Sequence, residues 1–438
     1  MLRKIVIVAP EFPPCNLTAA HRSRLFVRHL PEFGYEPIVL TVRREDYEGT
    51  IDNELEQLLP EGLQIVRTRA LPTRPLRLVG DLGIRSFWFH FRKLKEITAA
   101  SPVALVYFPI PPNYSCLLGR LIKRRRGIPY VIDYIDPWVY PITAQERRSW
   151  KSRLSHWLAR RLEPIAVRHA DGLTAVAETY YEGVLQRHPE LQSLPRAAMP
   201  YGAEPLDFEH VRRTGRRSRV LDSLNLKDKC VFVYAGAALP RATQTYRVLF
   251  RGLRRLQQNQ PQLGNRIHMV FVGTAAGSRD AVTGPIGPLA REMGVADSVT
   301  ELPRREPYLE ILALLSLSDA IMVLGSSDTH YTPSKLYQAL QARRPLLGML
   351  HEQCPAGDLL RQIRDCQWVP YGADLDPGDE VARRVEGALQ RLVQRDPTRP
   401  VEHDGAVMEG VSAREMTRRL SQCFDRVLAC QTRRREDS

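Results

Sequence analysis

A chain of 438 residues has room for two folded domains, each with a core of its own. Its 63 lysines and arginines outweigh 49 aspartates and glutamates, and the formal charge of +14 favours polyanionic partners: nucleic acid, an anionic membrane face or phosphorylated ligands. Nothing in it reads as a zinc finger, a helix-turn-helix or an RNA-binding signature, so nucleic acid is not an expected partner.

The first apolar run, residues 5–9, stops at Pro10, too short for a signal peptide or a membrane span. Its first part, 5–8, reads as a buried strand. The loop Pro10-Glu11-Phe12-Pro13-Pro14 follows, then a helix over about 18–33 closed by Gly34, and a strand at 37–42. Strand, loop, helix, glycine and strand open a doubly wound α/β domain. Further strands are expected at 64–68, 104–108, 130–134 and 172–177, and this domain spans 1–205. The charged stretch 206–229, with Arg212-Arg213 and Arg216-Arg217, reads as a linker. A second series of strands at 230–234, 268–273, 320–324, 346–350 and 367–371, with helices between, makes 230–410 another doubly wound domain. The remainder, 411–438, carries a last helix over about 412–428 and a tail expected to fray from Thr432. The seven cysteines are scattered and odd in number with no C-x-x-C pair, which argues against disulfides or structural zinc and for a reducing, cytoplasmic setting.

The segment 320–349 carries the most chemical information. A buried strand (320–324) leads into a polar loop, and Thr332 is placed to cap a helix that Pro333-Ser334-Lys335 opens. A strand, a loop and a helix N-terminus bearing a lysine converge free amides and a cation on one spot, an anion site. The alternative is an ordinary βαβ unit with a surface lysine. P-S-K-L-Y-Q-A-L-Q-A-R-R-P-L-L resembles the diphosphate-binding helix of nucleotide-sugar glycosyltransferases of the GT-B fold, family 4, whose usual form is close to P-x-K-L-[FY]-E-Y-L-A-[AS]-G-[KR]-P-[IV]-[IL]. Ser334, Lys335, Leu336, Tyr337, Arg344 and Pro345 match position by position. The family's ribose-gripping glutamate is Gln338 here, which keeps a carbonyl acceptor and loses the charge-assisted bond. Three further pieces are similar to the family. The first β–α loop with Ala19, Ala20 and Arg22 lacks the usual glycines. Asp133-Tyr134-Ile135-Asp136-Pro137-Trp138 resembles a D-x-R-D-x-W signature, with Ile135 for arginine. Tyr201-Gly202-Ala203 and Tyr234-Ala235-Gly236 resemble the turns that end the first domain and open the second.

The resemblance implies a GT-B architecture of two Rossmann-like domains, with the C-terminal helix crossing back to the first. It also implies transfer of a sugar from a nucleoside-diphosphate donor, with retention and with neither metal nor cofactor. Fixed cations and helix amides can stabilise a departing diphosphate unaided. Lys335 is the first candidate and Arg241 the second, with Gly236, Ser334, Leu336 and Gln338 completing the donor side. His330 either faces the donor sugar or is merely solvated. Residues 301–308 fall where the family sandwiches the nucleobase through main-chain contacts. On the acceptor side stand Arg22, Asp133 and Trp138. Asp136, the catalytic candidate, either orients an acceptor hydroxyl or an oxocarbenium-like charge, or with Pro137 only starts a turn. The acceptor is a lipid-linked saccharide or a small hydroxylated metabolite. Rival readings are a nucleotide-sugar epimerase and a non-catalytic partner whose donor site Gln338 has degraded. A nicotinamide dehydrogenase is disfavoured, since neither domain offers G-x-G-x-x-G after its first strand.

Two stretches interleave aromatic and basic residues. One runs 85–96 with Phe87, Trp88, Phe89 and Phe91; the other runs 147–162 with Trp150, Leu154, Trp157 and Leu158 at helical spacing. Each either lies on an anionic membrane or packs its apolar face on a sheet and leaves the cations in water.

Overall fold

From Ile5 to Val8, neither face of the first strand meets water. In β1 (Arg3–Val8), Ile5 and Ile7 join one core while Val6 and Val8 join another, so the strand reads as an unbroken apolar run rather than an alternation. The computed structural model describes residues 2–48, 50–73, 80–140, 149–275, 282–326, 335–354, 356–372, 379–397, 399, 401–402 and 404–436. His330 and Ser334 lie outside them.

After β1 come α1 (Thr18–His29), β2 (Tyr35–Val42), β3 (Gln64–Thr68), α2 (Leu82–Ala100), β4 (Leu105–Ile110), α3 (Leu117–Arg126), β5 (Tyr130–Tyr134), α4 (Trp150–Val167), β6 (Gly172–Ala175), α5 (Glu178–Arg187) and β7 (Arg196–Ala198). They form one parallel sheet of order β3-β2-β1-β4-β5-β6-β7. The second half runs α6 (Pro205–Arg213), α7 (Arg219–Leu224), β8 (Cys230–Ala235), α8 (Thr243–Asn259), α9 (Pro261–Gly264), β9 (Ile267–Val272), α10 (Ile286–Glu292), β10 (Val299–Leu302), α11 (Tyr308–Leu317) and β11 (Ala320–Leu324). It continues through α12 (Lys335–Gln341), β12 (Leu346–Met349), α13 (Ala356–Gln362), β13 (Cys366–Trp368), α14 (Asp379–Gln394) and α15 (Gly405–Gly410). Its sheet is also parallel, ordered β10-β9-β8-β11-β12-β13. The last helix, α16 (Ala413–Glu436), belongs to the first unit, which holds residues up to Tyr201 and from Ala413 on; Gly202–Ser412 is the second.

In the first unit, α16 lays Met416, Leu420, Phe424 and Val427 into the core that holds Ile5, Ile7 and Tyr107. Phe424 meets Tyr35 and Tyr107 edge-on, each at 5.4 Å between ring centroids. The helix outruns the expected end near 428. Its polar last turns are tied down, since Gln431 donates to Asp171 at 2.5 Å and Arg426 to the Arg196 carbonyl at 2.7 Å. In the second unit, α8 presents Tyr246, Leu249, Phe250, Leu253 and Leu256 to the sheet, and α14 adds Val385, Leu389 and Leu392.

Two expectations are corrected. The supposed linker, 206–229, contains the helices α6 and α7, which pack on α11. Phe208, Val211 and Val220 are buried there, and Glu310 accepts from the Ser218 hydroxyl (2.8 Å) and the Val220 amide (3.2 Å). Tyr308 donates to Asp207 at 3.0 Å. The arginines that suggested a linker belong to the solvated faces. β7 and β10 escape the sequence because they are edge strands, short and half-exposed, with no apolar run to betray them.

Phe424→Ala empties the space between Tyr35 and Tyr107, and a cavity of that kind costs about 3–5 kcal/mol. Urea unfolding followed by circular dichroism should show the first unit destabilised by that amount. A change below about 1 kcal/mol would mean that α16 does not complete this core.

Candidate functional site

In each sheet the connections reverse direction at one point, between β1 and β4 in the first unit and between β8 and β11 in the second. Loops leaving the carboxyl ends of strands diverge there, and the crevice between them is where α/β sheets hold ligands.

In the second unit that crevice contains Gly236, directly after β8, and Lys335, which opens α12 after β11. Gly236 has φ +148°, and a Cβ on it would stand 1.4 Å from the Lys335 Nζ, so the lysine lies across a floor that only glycine provides. The Nζ donates to the Tyr234 hydroxyl at 3.4 Å and sits 4.8 Å from that ring's centroid. Although Lys335 keeps partial solvent contact, its ammonium is deep in protein. Burial first, and the like charge of Arg305 second, together lower its pKa to about 7. No carboxylate is among its described partners. Gly273, at φ +73°, ends β9 next to Arg305. A cation desolvated beside a second cation is an unfavourable arrangement, and a bound anion relieves it.

In the first unit the corresponding crevice is acidic. Glu11 follows β1, and burial together with the charge of Asp81 raises its carboxyl to about 7. Asp81 is raised by burial and caps α2, accepting from the Ile84 amide at 2.9 Å. Tyr114, after β4, is held up by burial and by Asp81, and its ring packs against Trp138 at 5.7 Å. Asp136, after β5, is exposed at its rim, yet crowding by protein atoms raises its carboxyl too; its charge also raises the Tyr201 hydroxyl, chiefly held up by burial.

The expected site residues therefore part company. Gly236 and Lys335 come together. Gln338 is partly accessible one turn along α12, whereas Leu336 is wholly buried and belongs to the packing. Arg241 is exposed on the turn Pro240–Ala242, and the cation that bears on Lys335 is Arg305 instead. Arg22 and Asp133 do not face an acceptor. Both are fully buried, and the guanidinium grips the carboxylate through Nε (2.5 Å) and Nη2 (3.0 Å). Trp138 is buried as well. Sequence reading missed Arg305 and Glu11. Nothing local marks Arg305, but Glu11 stands in the loop after the first strand, where topology puts ligands. Among the described residues no three His, Cys, Asp or Glu side chains form a metal-ligating group, and no helix is long and apolar enough to cross a membrane.

The two shifted groups give opposite signatures in stability. Glu11 has its folded pKa raised above the unfolded value, so the native state favours its protonated form and loses that contribution as pH rises through about 7. Glu11→Gln should stabilise at pH 8 and leave stability unchanged at pH 4. Lys335 has its folded pKa depressed to about 7, so the native state resists protonation, and the penalty is full below that pH and fades toward the unfolded value. Lys335→Met should stabilise most at pH 6 and least near pH 10. Urea midpoints across pH check both, and parallel pH profiles for the two variants would contradict these environments.

Residues 18–202 match the model of the glycosyl transferase 4-like domain. None of the curated protein sequences matches the chain. Among solved structures, the chain is similar to a UDP-forming trehalose-phosphate synthase from Burkholderia vietnamiensis (TM-score 0.61, 12% identity, covering 98% of this chain and 100% of that one). It is similar also to a sucrose-phosphate synthase from Thermosynechococcus elongatus (0.57, 14%, 98% and 100%) and to HepE of Anabaena, solved with UDP and glucose (0.54, 15%, 99% of each). Two parallel sheets ordered in this way and shared with those structures are the GT-B architecture, and residues 18–202 of its first unit are similar to the glycosyl transferase 4-like domain.

Proposed function

We propose that this protein transfers a glycosyl group from a nucleoside-diphosphate sugar to a hydroxyl acceptor, with retention of anomeric configuration and without a metal. The observation that carries the reading is the Lys335 ammonium, buried over Gly236 beside Arg305 with no carboxylate among its described partners. The HepE structure supports it, having been solved with UDP and glucose on the same fold.

On the face from which the diphosphate departs, the acceptor oxygen bonds to the anomeric carbon as that carbon's bond to the diphosphate breaks. The electron pair stays on the diphosphate, where Lys335 and Arg305 neutralise the charge that develops. Gln338 offers its carbonyl to the ribose hydroxyls. On the acceptor side Asp136 orients the hydroxyl. Glu11, ionised above pH of about 7, takes its proton. The acceptor is a lipid-linked saccharide or a small hydroxylated metabolite, which places the reaction in glycoconjugate or polysaccharide synthesis.

Titration of the full-length protein with UDP, GDP and ADP tests the donor site. One of them should bind, and Lys335→Ala should weaken it by about 1.5–3 kcal/mol, roughly 10- to 150-fold, while the fold stays intact. Gly236→Ala should act in the same direction, because its new methyl group displaces the flexible lysine end rather than backbone. Equal affinity in wild type and Lys335→Ala would remove this crevice from the donor site. Gln338 in place of the family's glutamate favours a second reading, a partner protein without transferase activity. Gln338→Glu should tighten nucleotide binding several-fold in a competent enzyme, since a charged acceptor contributes about 1 kcal/mol more than a neutral one. If neither wild type nor this variant binds any of the three nucleotides, the non-catalytic reading holds.

A further inference from the structure

Helix α4 is built inside out. Its buried residues are Ala159, Glu163, Ala166 and Val167, three of them small or acidic; Leu158 and Leu162 are half-buried, Leu162 against the core, while four large apolar side chains face solvent. Trp150 is 67% exposed, Leu154 46%, Trp157 53% and Ile165 39%. Their spacing of four, three and eight residues sets them on one line along the helix, opposite the buried face. Lys151, Arg153, Arg160 and Arg161 are exposed around that line, Arg161 stacking over the Trp157 ring at 5.5 Å and Lys151 over Trp150 at 5.9 Å. The helix's one acid, Glu163, is turned inward and paired with Arg187 at 2.7 Å, so no negative charge of α4 reaches the surface.

The other aromatic and basic stretch shows what ordinary packing does with similar residues. On α2, Phe91 is buried, Phe87 packs against the core, and Arg85 is enclosed with the Leu71 carbonyl and Glu48 as partners. Trp88 alone of its aromatic residues stays exposed. Sheet packing thus accounts for α2 and leaves α4 unaccounted for.

We propose that the outer face of α4 docks on the surface of an anionic lipid bilayer. The two tryptophans, with an apolar body and a polar N–H, suit the headgroup level. Leu154 and Ile165 reach the acyl boundary, and the flanking cations pair with lipid phosphates. An unbroken positive rim is complementary to anionic lipid and mismatched to a second copy of the same face, which would bring like charges together. The proposal is independent of the transfer chemistry and holds whether or not the donor crevice is active.

Co-sedimentation of the full-length protein with phosphatidylglycerol/phosphatidylcholine vesicles, and with phosphatidylcholine alone, tests it. The protein should pellet with the anionic vesicles at low salt and be released as salt rises, since the attraction acts over a Debye length. Its tryptophan emission should shift to the blue on binding. Arg160→Glu with Arg161→Glu should weaken binding roughly 30-fold or more. Trp150→Ser with Trp157→Ser should weaken binding and abolish most of the shift; all four sites are exposed, so melting temperatures should not change. A wild-type protein that stays in the supernatant at low salt would overturn the proposal. So would unchanged binding in both double variants, or vesicle-independent self-association in sedimentation velocity that the tryptophan substitutions abolish, which would assign the face to a second copy.

Discussion

A single guanidinium, fully enclosed, holds the first unit together. Arg22 reaches from α1 to Asp133 on β5, donates to the Met199 carbonyl after β7 at 2.9 Å, and lies 3.7 Å from the Met416 sulfur on α16. Asp133 in turn accepts from Thr174 on β6 at 2.7 Å. Burial works against the charge, but Asp133 outweighs it and keeps the guanidinium ionised. Such a pair adds little net stability by itself, because two desolvation costs nearly cancel the attraction; removing one partner strands the other and costs about 3–5 kcal/mol. Its effect is therefore on which arrangement forms. Four elements from opposite ends of the chain must all arrive for either charge to be satisfied. Tyr201, stacked 5.3 Å from the same guanidinium, then fixes the rim on which Asp136 sits.

The two crevices place unfavourable electrostatics at the same topological position with opposite sign. In the first unit, burial and mutual repulsion push the Glu11 carboxyl toward neutrality; in the second, burial and Arg305 push the Lys335 ammonium the same way. Among the described residues, neither group gains a stabilising partner of the kind that Asp133 gives Arg22. Natural folds tolerate strained charges where function requires them, and such groups cluster in ligand sites. A structural ion-pair network would have shown the reverse, with each charge held by its counter-ion.

Much of this was legible in the sequence, for a definite reason. Parallel strands covered on both faces must be apolar at every position, so β1, β2, β5, β8 and β11 stand out as runs, and the loops after them follow. Of the four edge strands, β3 and β13 were expected near 64–68 and 367–371, while β7 and β10, short, half-exposed and without an apolar run, passed unseen. The charge-rich 206–229 misled because composition averages over faces, and a helix that anchors by Phe208, Val211 and Val220 has charge to spare elsewhere. Conversely, a D-x-x-D pattern cannot say which carboxylate is satisfied: Asp133 meets a guanidinium 111 residues away in the chain, and Asp136 meets none among the described residues. Lys335 was readable from its motif, whereas Arg305 was not, since its part depends on a neighbour the chain supplies only on folding. The same limit separates α2 from α4, whose residue patterns are alike and whose exposures are opposite.

Gln338 ties the electrostatics of the donor crevice to its chemistry. It stands three residues after Lys335 on α12, a spacing at which helical side chains meet. A glutamate there would be the nearest counter-ion to the ammonium and would raise its pKa, leaving the crevice closer to neutral before any ligand arrived. With glutamine that counter-ion is missing from α12, and the Lys335 ammonium meets no carboxylate among its described partners. Under the proposed donor reading, the substitution exchanges a charge-assisted bond to the ribose hydroxyls for a neutral one. A site emptied of function would have no need to keep Gly236 bare beneath the lysine; here the glycine floor, the lysine and Arg305 remain assembled around position 338, which supports the donor reading proposed above.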